Sequence, residues 1–138
     1  MKKEPRGIRN NNPLNIRKGT TWKGEREQQT DPAFEEFVSM EFGIRAAFKL
    51  VKNHIEGFGG ARKKRDTLAK LISVWAPPSE NATNRYIEFV AKRVGLDPNE
   101  RINFQNRTQM ASILQAMAFV ECGVEIPIEK FYSGYDLV

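Results

Sequence analysis

The sequence predicts a mainly helical fold with a small loop and short-strand region at its N-terminal end, and three observations carry that expectation. From residue 43 onward, apolar residues recur at intervals of three and four. The forty residues before them crowd Asn, Gly, Pro and Thr without a sustained helical period. The chain has 138 residues, 40% hydrophobic and 28% charged, which is the size and composition of one globular domain. Residues 1–138 are therefore expected to form a single domain, with 1–41 as the loop and strand region and 42–138 as the helical region.

Within the first region, Ile8, Leu14, Ile16, Trp22, Phe34 and Phe37 are the anchors that can tie irregular chain to a core. Residues 15–17 and 35–38 are candidate strands able to pair across the intervening segment. Ile44, Ala47, Phe48, Val51 and Ile55 mark one face of a helix over residues 42–56, which Gly57 can stop. A shorter helix carrying Leu68, Leu71, Ile72 and Trp75 is capped by Asp66 or Thr67 and cannot pass Pro77-Pro78. A third opens near residues 81–83, buries Tyr86, Ile87, Phe89, Val90 and Val94, and ends at Gly95. In the fourth, capped by Asn106 or Thr108, the residues Met110, Ile113, Leu114 and Met117 keep helical spacing. Gly123 is its left-handed cap, and Phe131, Tyr132 and Tyr135 in the tail are placed to dock on the core.

Several chemistries are excluded early. The lone Cys122 rules out an internal disulfide, and with His54 as the only histidine no conventional structural zinc site can form. There is no phosphate-binding Gly-rich loop and no HExxH, so neither metal nor cofactor is expected. No apolar run reaches bilayer-spanning length, and the N-terminus lacks a signal-peptide core, so synthesis in the cytoplasm and no membrane partner are expected. The net charge of +5 favours an anionic partner, whether nucleic acid, a membrane surface or a wall polymer, without choosing among them. The run Arg62-Lys63-Lys64-Arg65 reads first as a solvated loop, with nucleic-acid binding the weaker reading.

Glu121 falls four residues beyond Met117 and seven beyond Leu114, so it shares the buried stripe of the fourth helix. Apolar surroundings and the negative end of the helix dipole both resist ionisation of a carboxyl group there. A carboxylic acid kept protonated near neutral pH is what cleavage of a glycosidic bond requires, because the exocyclic oxygen leaves only with a proton. The competing reading turns Glu121 outward or pairs it with Lys130.

Met117-Ala118-Phe119-Val120-Glu121-Cys122-Gly123 resembles the alanine-rich helix and Glu-Ser-Gly segment of lytic transglycosylases and bacterial glucosaminidases, with Cys122 in place of serine. Gly7-Ile8-Arg9-Asn10-Asn11-Asn12-Pro13-Leu14-Asn15-Ile16-Arg17 is similar to the Asn-rich loop that follows the catalytic helix in those families. Here the loop comes first, so the resemblance implies a circularly permuted lysozyme-like domain. A closer resemblance covers nearly the whole chain. It rests on Arg6 to Pro13, Trp22-Lys23-Gly24, Asp31-Pro32-Ala33-Phe34, Phe42-Gly43-Ile44-Arg45-Ala46 and Trp75-Ala76-Pro77-Pro78-Ser79-Glu80-Asn81, with Thr83 and Tyr86-Ile87. These look like small phage and prophage virion structural proteins, which usually carry His-Glu-Asn-Gly where this chain has Val120-Glu121-Cys122-Gly123.

Residues 75–86 combine aromatic faces with amides and hydroxyls, a mixture suited to a polysaccharide cleft: Trp75, Ser79, Asn81 and Tyr86 are the candidates there, joined by Asn11, Asn12, Asn15 and Trp22. The alternative makes Trp75 and Tyr86 core residues, Ser79 and Asn81 caps, and the N-terminal asparagines partners of buried backbone. The expected function is cleavage of peptidoglycan glycan strands by a phage or prophage protein, with Glu121 as acid and then base. If water or an enzyme nucleophile attacks, Glu80, Glu36 or Asp31 must face it. The alternative is a non-catalytic virion, tail or wall-binding protein associated with other virion proteins.

Overall fold

A computed structural model describes residues 4–57, 63–77 and 82–138; Ser79, Glu80 and Asn81, and with them three of the expected site residues, lie outside the described residues. Six helices form among the described residues: α1 (Arg6–Arg9), α2 (Met40–Glu56), α3 (Leu68–Trp75), α4 (Thr83–Val94), α5 (Arg107–Cys122) and α6 (Ile128–Asp136). The fold is mainly helical, as expected. No described helix is long and apolar enough to cross a membrane.

Local chemistry sets the helix boundaries. Ser39, Thr67 and Asn106 each accept a hydrogen bond from a backbone N–H of the first turn they cap, at Phe42, Lys70 and Gln109. α5 stops at Gly123, whose φ of 70° is the left-handed conformation glycine adopts without a Cβ clash. The apolar stripes expected for α2 and α5 are buried: Ile44, Ala47, Phe48, Val51 and Ile55 on one, Met110, Ile113, Leu114 and Met117 on the other. Each such large side chain contributes roughly 2 kcal/mol by leaving water. The tail is a helix as well, because Phe131 enters the core and the Tyr135 ring packs edge-on to Phe48 at 5.4 Å while its hydroxyl donates to the Phe104 carbonyl at 2.8 Å. Phe89 departs from expectation: it stays 38% exposed and stacks on Phe119 at 5.7 Å, since it lies off the inward stripe of α4 formed by Tyr86, Ile87 and Val90.

The N-terminal region is held by side-chain amides more than by strands. Residues 15–17 and 35–38 do approach one another, with Glu35 N–H donating to the Ile16 carbonyl at 3.0 Å, yet only isolated antiparallel bridges form, Arg17 with Phe34 and Glu25 with Phe37. Asn15, at a φ of 54°, interrupts any longer ladder. Asn12 is fully buried; its amide nitrogen donates to the carbonyls of Ile16 and Glu35 and its oxygen accepts from Ile16 N–H, all within 3.0 Å. Asn11 donates to the Phe37 carbonyl and Asn10 to Asp31. At Gly43 the first turn of α2 meets the Asn11 carbonyl so closely that a Cβ would overlap it.

Charged groups in this region fall into two kinds. Asp31 takes a bidentate pair from Arg6 and further donors from Asn10, Ala33 and Phe34, which hold its carboxyl well below the usual carboxylate range. Burial opposes ionisation of Glu36, but the N–H groups of Asp31 and Thr30, the Thr30 hydroxyl and Arg26 prevail and lower its pKa. Glu35 is the opposite case: burial, then the neighbouring Glu25, push it up to about 7 against the pull of Lys18. One of its carboxyl oxygens is buried without a partner.

Asn12→Ala leaves the Ile16 N–H and the Glu35 carbonyl without their partner, while the Ile16 carbonyl keeps the Glu35 N–H, and is expected to cost about 2 kcal/mol or more, read as a lower denaturation midpoint. The Glu35 contribution to stability is complete below about pH 4.5 and is lost as pH rises through about 7, because the folded state favours the protonated form. Thermal melts between pH 5 and 8 should therefore fall more steeply for the wild type than for Glu35→Gln; parallel curves would show that Glu35 is ionised throughout.

Candidate functional site

Glu121 sits in the last turn of α5, half-buried at the side of a cleft of about 530 Å³ that is also lined by Leu14, Asn15, Arg17, Phe34, Trp75 and Ala76. Three separate parts of the chain thus meet there: the N-terminal loop, the end of α3 and the end of α5. The Asn15 amide nitrogen donates to Glu121 Oε1 at 3.2 Å across 106 residues of sequence. Tyr86, on α4, is buried; its hydroxyl reaches the Met117 carbonyl at 3.4 Å and also faces the Glu121 carboxyl.

Burial is the largest influence on Glu121 and raises its pKa; the bonds from Asn15 and Tyr86 pull it back without cancelling that rise. The Tyr86 hydroxyl is itself shifted far upward, by burial first and then by the Glu121 charge, so it remains a proton-bearing donor. Cys122 is also buried. Its thiol is pushed up to about 11 by burial and by Glu121, and it donates to the Pro13 carbonyl at 3.1 Å. The thiol therefore does what a serine hydroxyl could do at that position: it ties the Asn-rich loop to the end of α5. A Cβ at Gly7 would strike this sulfur, so the close packing of α1 on α5 depends on glycine there.

Of the residues singled out in the sequence, Asn15, Trp75, Tyr86 and Glu121 come together. Tyr86 does so as a buried partner of Glu121 instead of as an open stacking face. Asn12, fully enclosed and saturated by backbone, is scaffold and out of a ligand's reach, and Asn11 is likewise occupied by Phe37. Trp22 lies in an adjoining trough of about 360 Å³ with Leu50, His54 and Val74; that trough shares Leu14, Asn15, Arg17 and Trp75 with the Glu121 cleft. The indole nitrogen of Trp22 is buried and unpartnered. Asp31 and Glu36 are bound within their own networks and do not line the cleft, and Lys130 pairs with Glu41 instead of Glu121. Among the described residues, no cluster of three or more His, Cys, Asp or Glu side chains could hold a metal ion.

Arg17 and Phe34 were not apparent as site residues in the sequence. The signal was there in part: Leu14 and Ile16 are buried, while Asn15 and Arg17 alternate with them toward the cleft. The Arg17 guanidinium lies over the Phe34 ring, 5.0 Å from its centroid, which fixes a cation at the cleft wall.

No family model matches the chain. It is similar to Protein P5 of Pseudoalteromonas phage PM2, 37% identical over 122 residues that span 86% of this chain and 71% of the relative. That identity, sustained over most of both sequences, places the chain in the family of the phage PM2 Protein P5.

Proposed function

We propose that this chain is a phage virion component whose Glu121 cleft engages the glycan strands of bacterial peptidoglycan and cleaves them. The observation that carries the catalytic part is the state of Glu121: a half-buried carboxyl with a raised pKa, oriented by Asn15 and Tyr86 and opening on a cleft walled by Trp75 and Arg17. Kinship with a phage protein supports the virion part. A permuted lysozyme-like arrangement accounts for the Asn-rich loop preceding the acid in sequence while lying beside it in space.

In this reading protonated Glu121 gives its proton to the glycosidic oxygen as the bond from that oxygen to the anomeric carbon breaks. A hydroxyl oxygen then bonds to the anomeric carbon, and its proton passes to the Glu121 carboxylate, restoring the acid. Glu121 is the one acidic residue lining the cleft among the described residues, which favours attack by the sugar's own hydroxyl over a mechanism with two facing carboxylates. Asn15 holds the carboxyl group in place through both half-reactions, and Trp75 offers an aromatic face for a sugar ring.

A second reading, a virion structural protein without catalytic activity, is favoured by one observation. Val120 and Cys122 flank Glu121 with apolar side chains, where the resemblance to phage virion structural proteins implies His and Asn. Muropeptide analysis on purified peptidoglycan separates the two. Wild type should release products, and Glu121→Gln should lower the rate by about 10²–10⁴-fold with an unchanged melting temperature. Activity should also fall as pH rises through the elevated Glu121 pKa, since only the protonated form donates. Full activity in Glu121→Gln would sink the acid assignment, and an inactive wild type would leave the structural reading.

A further inference from the structure

The Glu121 cleft is one end of a longer depression. Its neighbour, the trough of Trp22 and His54, shares Val74 with a third concavity of about 480 Å³, lined by Lys63, Lys64, Arg65, Lys70 and Ser73. The connection is built into the backbone, because Arg65 N–H donates to the His54 carbonyl at 2.7 Å and so fixes the basic segment to the last turn of α2. Lys70, Ser73 and Val74 share one face of α3 at helical spacing, and Val74 and Trp75 both border the middle trough that separates this face from the Glu121 cleft.

Along the three joined concavities the described lining carries six cations, Arg17, Lys18, Lys63, Lys64, Arg65 and Lys70, against one acid, Glu121. The distribution is uneven. Four of the six stand at the end away from Glu121, and of these Lys70 alone has an ion pair among the described residues, with Asp66 at 3.7 Å, an acid that Arg101 shares at 3.5 Å. His54 adds no charge, since burial and the nearby Arg65 both lower its pKa. An elongated ligand lying here meets the half-buried Glu121 carboxyl group at one end, aromatic surface in the middle and a positive field at the other.

We infer that the Lys63, Lys64, Arg65 and Lys70 concavity binds the free carboxylates of the peptide stems that peptidoglycan glycan strands carry, so that the groove selects strands with their stems attached. The inference rests on the glycan-strand reading of the Glu121 cleft. The sugar rings of such a strand do not supply the anions this field calls for, whereas the stem peptides do, at a distance from the bond being cleaved. A nucleic acid matches less well, because its charge is uniform along its length and would set a phosphate beside Glu121.

The test measures binding in the Glu121→Gln background, which stops turnover. The ligands are soluble glycan strands with stems intact, the same strands after amidase removal of the stems and amidation of the lactyl carboxylates this frees, and a single-stranded DNA oligomer. Intact strands should bind about tenfold more tightly than stripped ones, with an affinity that falls as salt rises. The exposed pair Lys63→Glu/Lys64→Glu should erase that difference while leaving stripped strands unaffected. Equal binding of intact and stripped strands, unchanged by the charge reversals, would overturn the stem-peptide assignment and leave the glycan reading standing. Binding of neither would overturn both. DNA binding more tightly than intact strands, and lost on charge reversal, would reassign the concavity to nucleic acid.

Discussion

The buried amide of Asn12 does in this protein what a β-ladder would do in another. By bonding to Ile16 on both its N–H and carbonyl and to the Glu35 carbonyl, it closes the loop over residues 12–16 and fastens it to the segment beyond Phe34. The closed loop turns Asn15 into the left-handed region, with its own N–H bonded to the Asn12 carbonyl. Two glycines let that loop approach the helices: Gly43 admits the Asn11 carbonyl against α2, and Gly7 admits the Cys122 sulfur from α5. The position of the Asn15 amide beside Glu121 is the outcome of all of these contacts, so the cleft, one wall of which is Leu14, Asn15 and Arg17, inherits its geometry from bonds made outside it.

Acidic residues in the fold are separated by environment. Asp31 and Glu36 are surrounded by donors and cations and stay ionised as structural anions, while Glu35 and Glu121 are enclosed with too few donors to offset their burial. Only Glu121 of the second pair opens on a cleft. The same carboxyl group is therefore held as an anion in one place and drawn toward its protonated form in another, set by how many N–H groups point at it.

Much of the helical region was legible because it is amphipathic. The stripes of α2 and α5, the caps at Thr67 and Asn106, and the stop at Gly123 are local signals written in spacing and residue type, whereas the cap at Ser39, which begins α2 two residues earlier than the periodicity suggests, went unread. Phe89 was misplaced for a local reason as well: an aromatic next to a buried stripe looks apolar enough to belong to it, and only the packing of Phe119 against it shows otherwise. The N-terminal region was harder to read. Four asparagines in six residues announce an irregular loop, but nothing in their order tells that Asn10, Asn11 and Asn12 bind the protein itself while Asn15 turns to Glu121. That distinction depends on contacts across 21 to 106 residues of sequence, which no local pattern encodes. The basic run reads as a solvated loop, and its described residues are irregular with Lys63 and Lys64 exposed; what no local pattern tells is that they border Ser73 and Val74 of the following helix.

The bond between Asn15 and Glu121 also sets a schedule. Its partners lie 106 residues apart, with the acid in the final turn of α5 and α6 still to pack against α2 and α5. A ribosome emits the loop before the acid, so a nascent chain carries no assembled cleft until α5 has emerged. A product truncated before α5 would lack both the Glu121 carboxyl group and the thiol that ties the loop beside it.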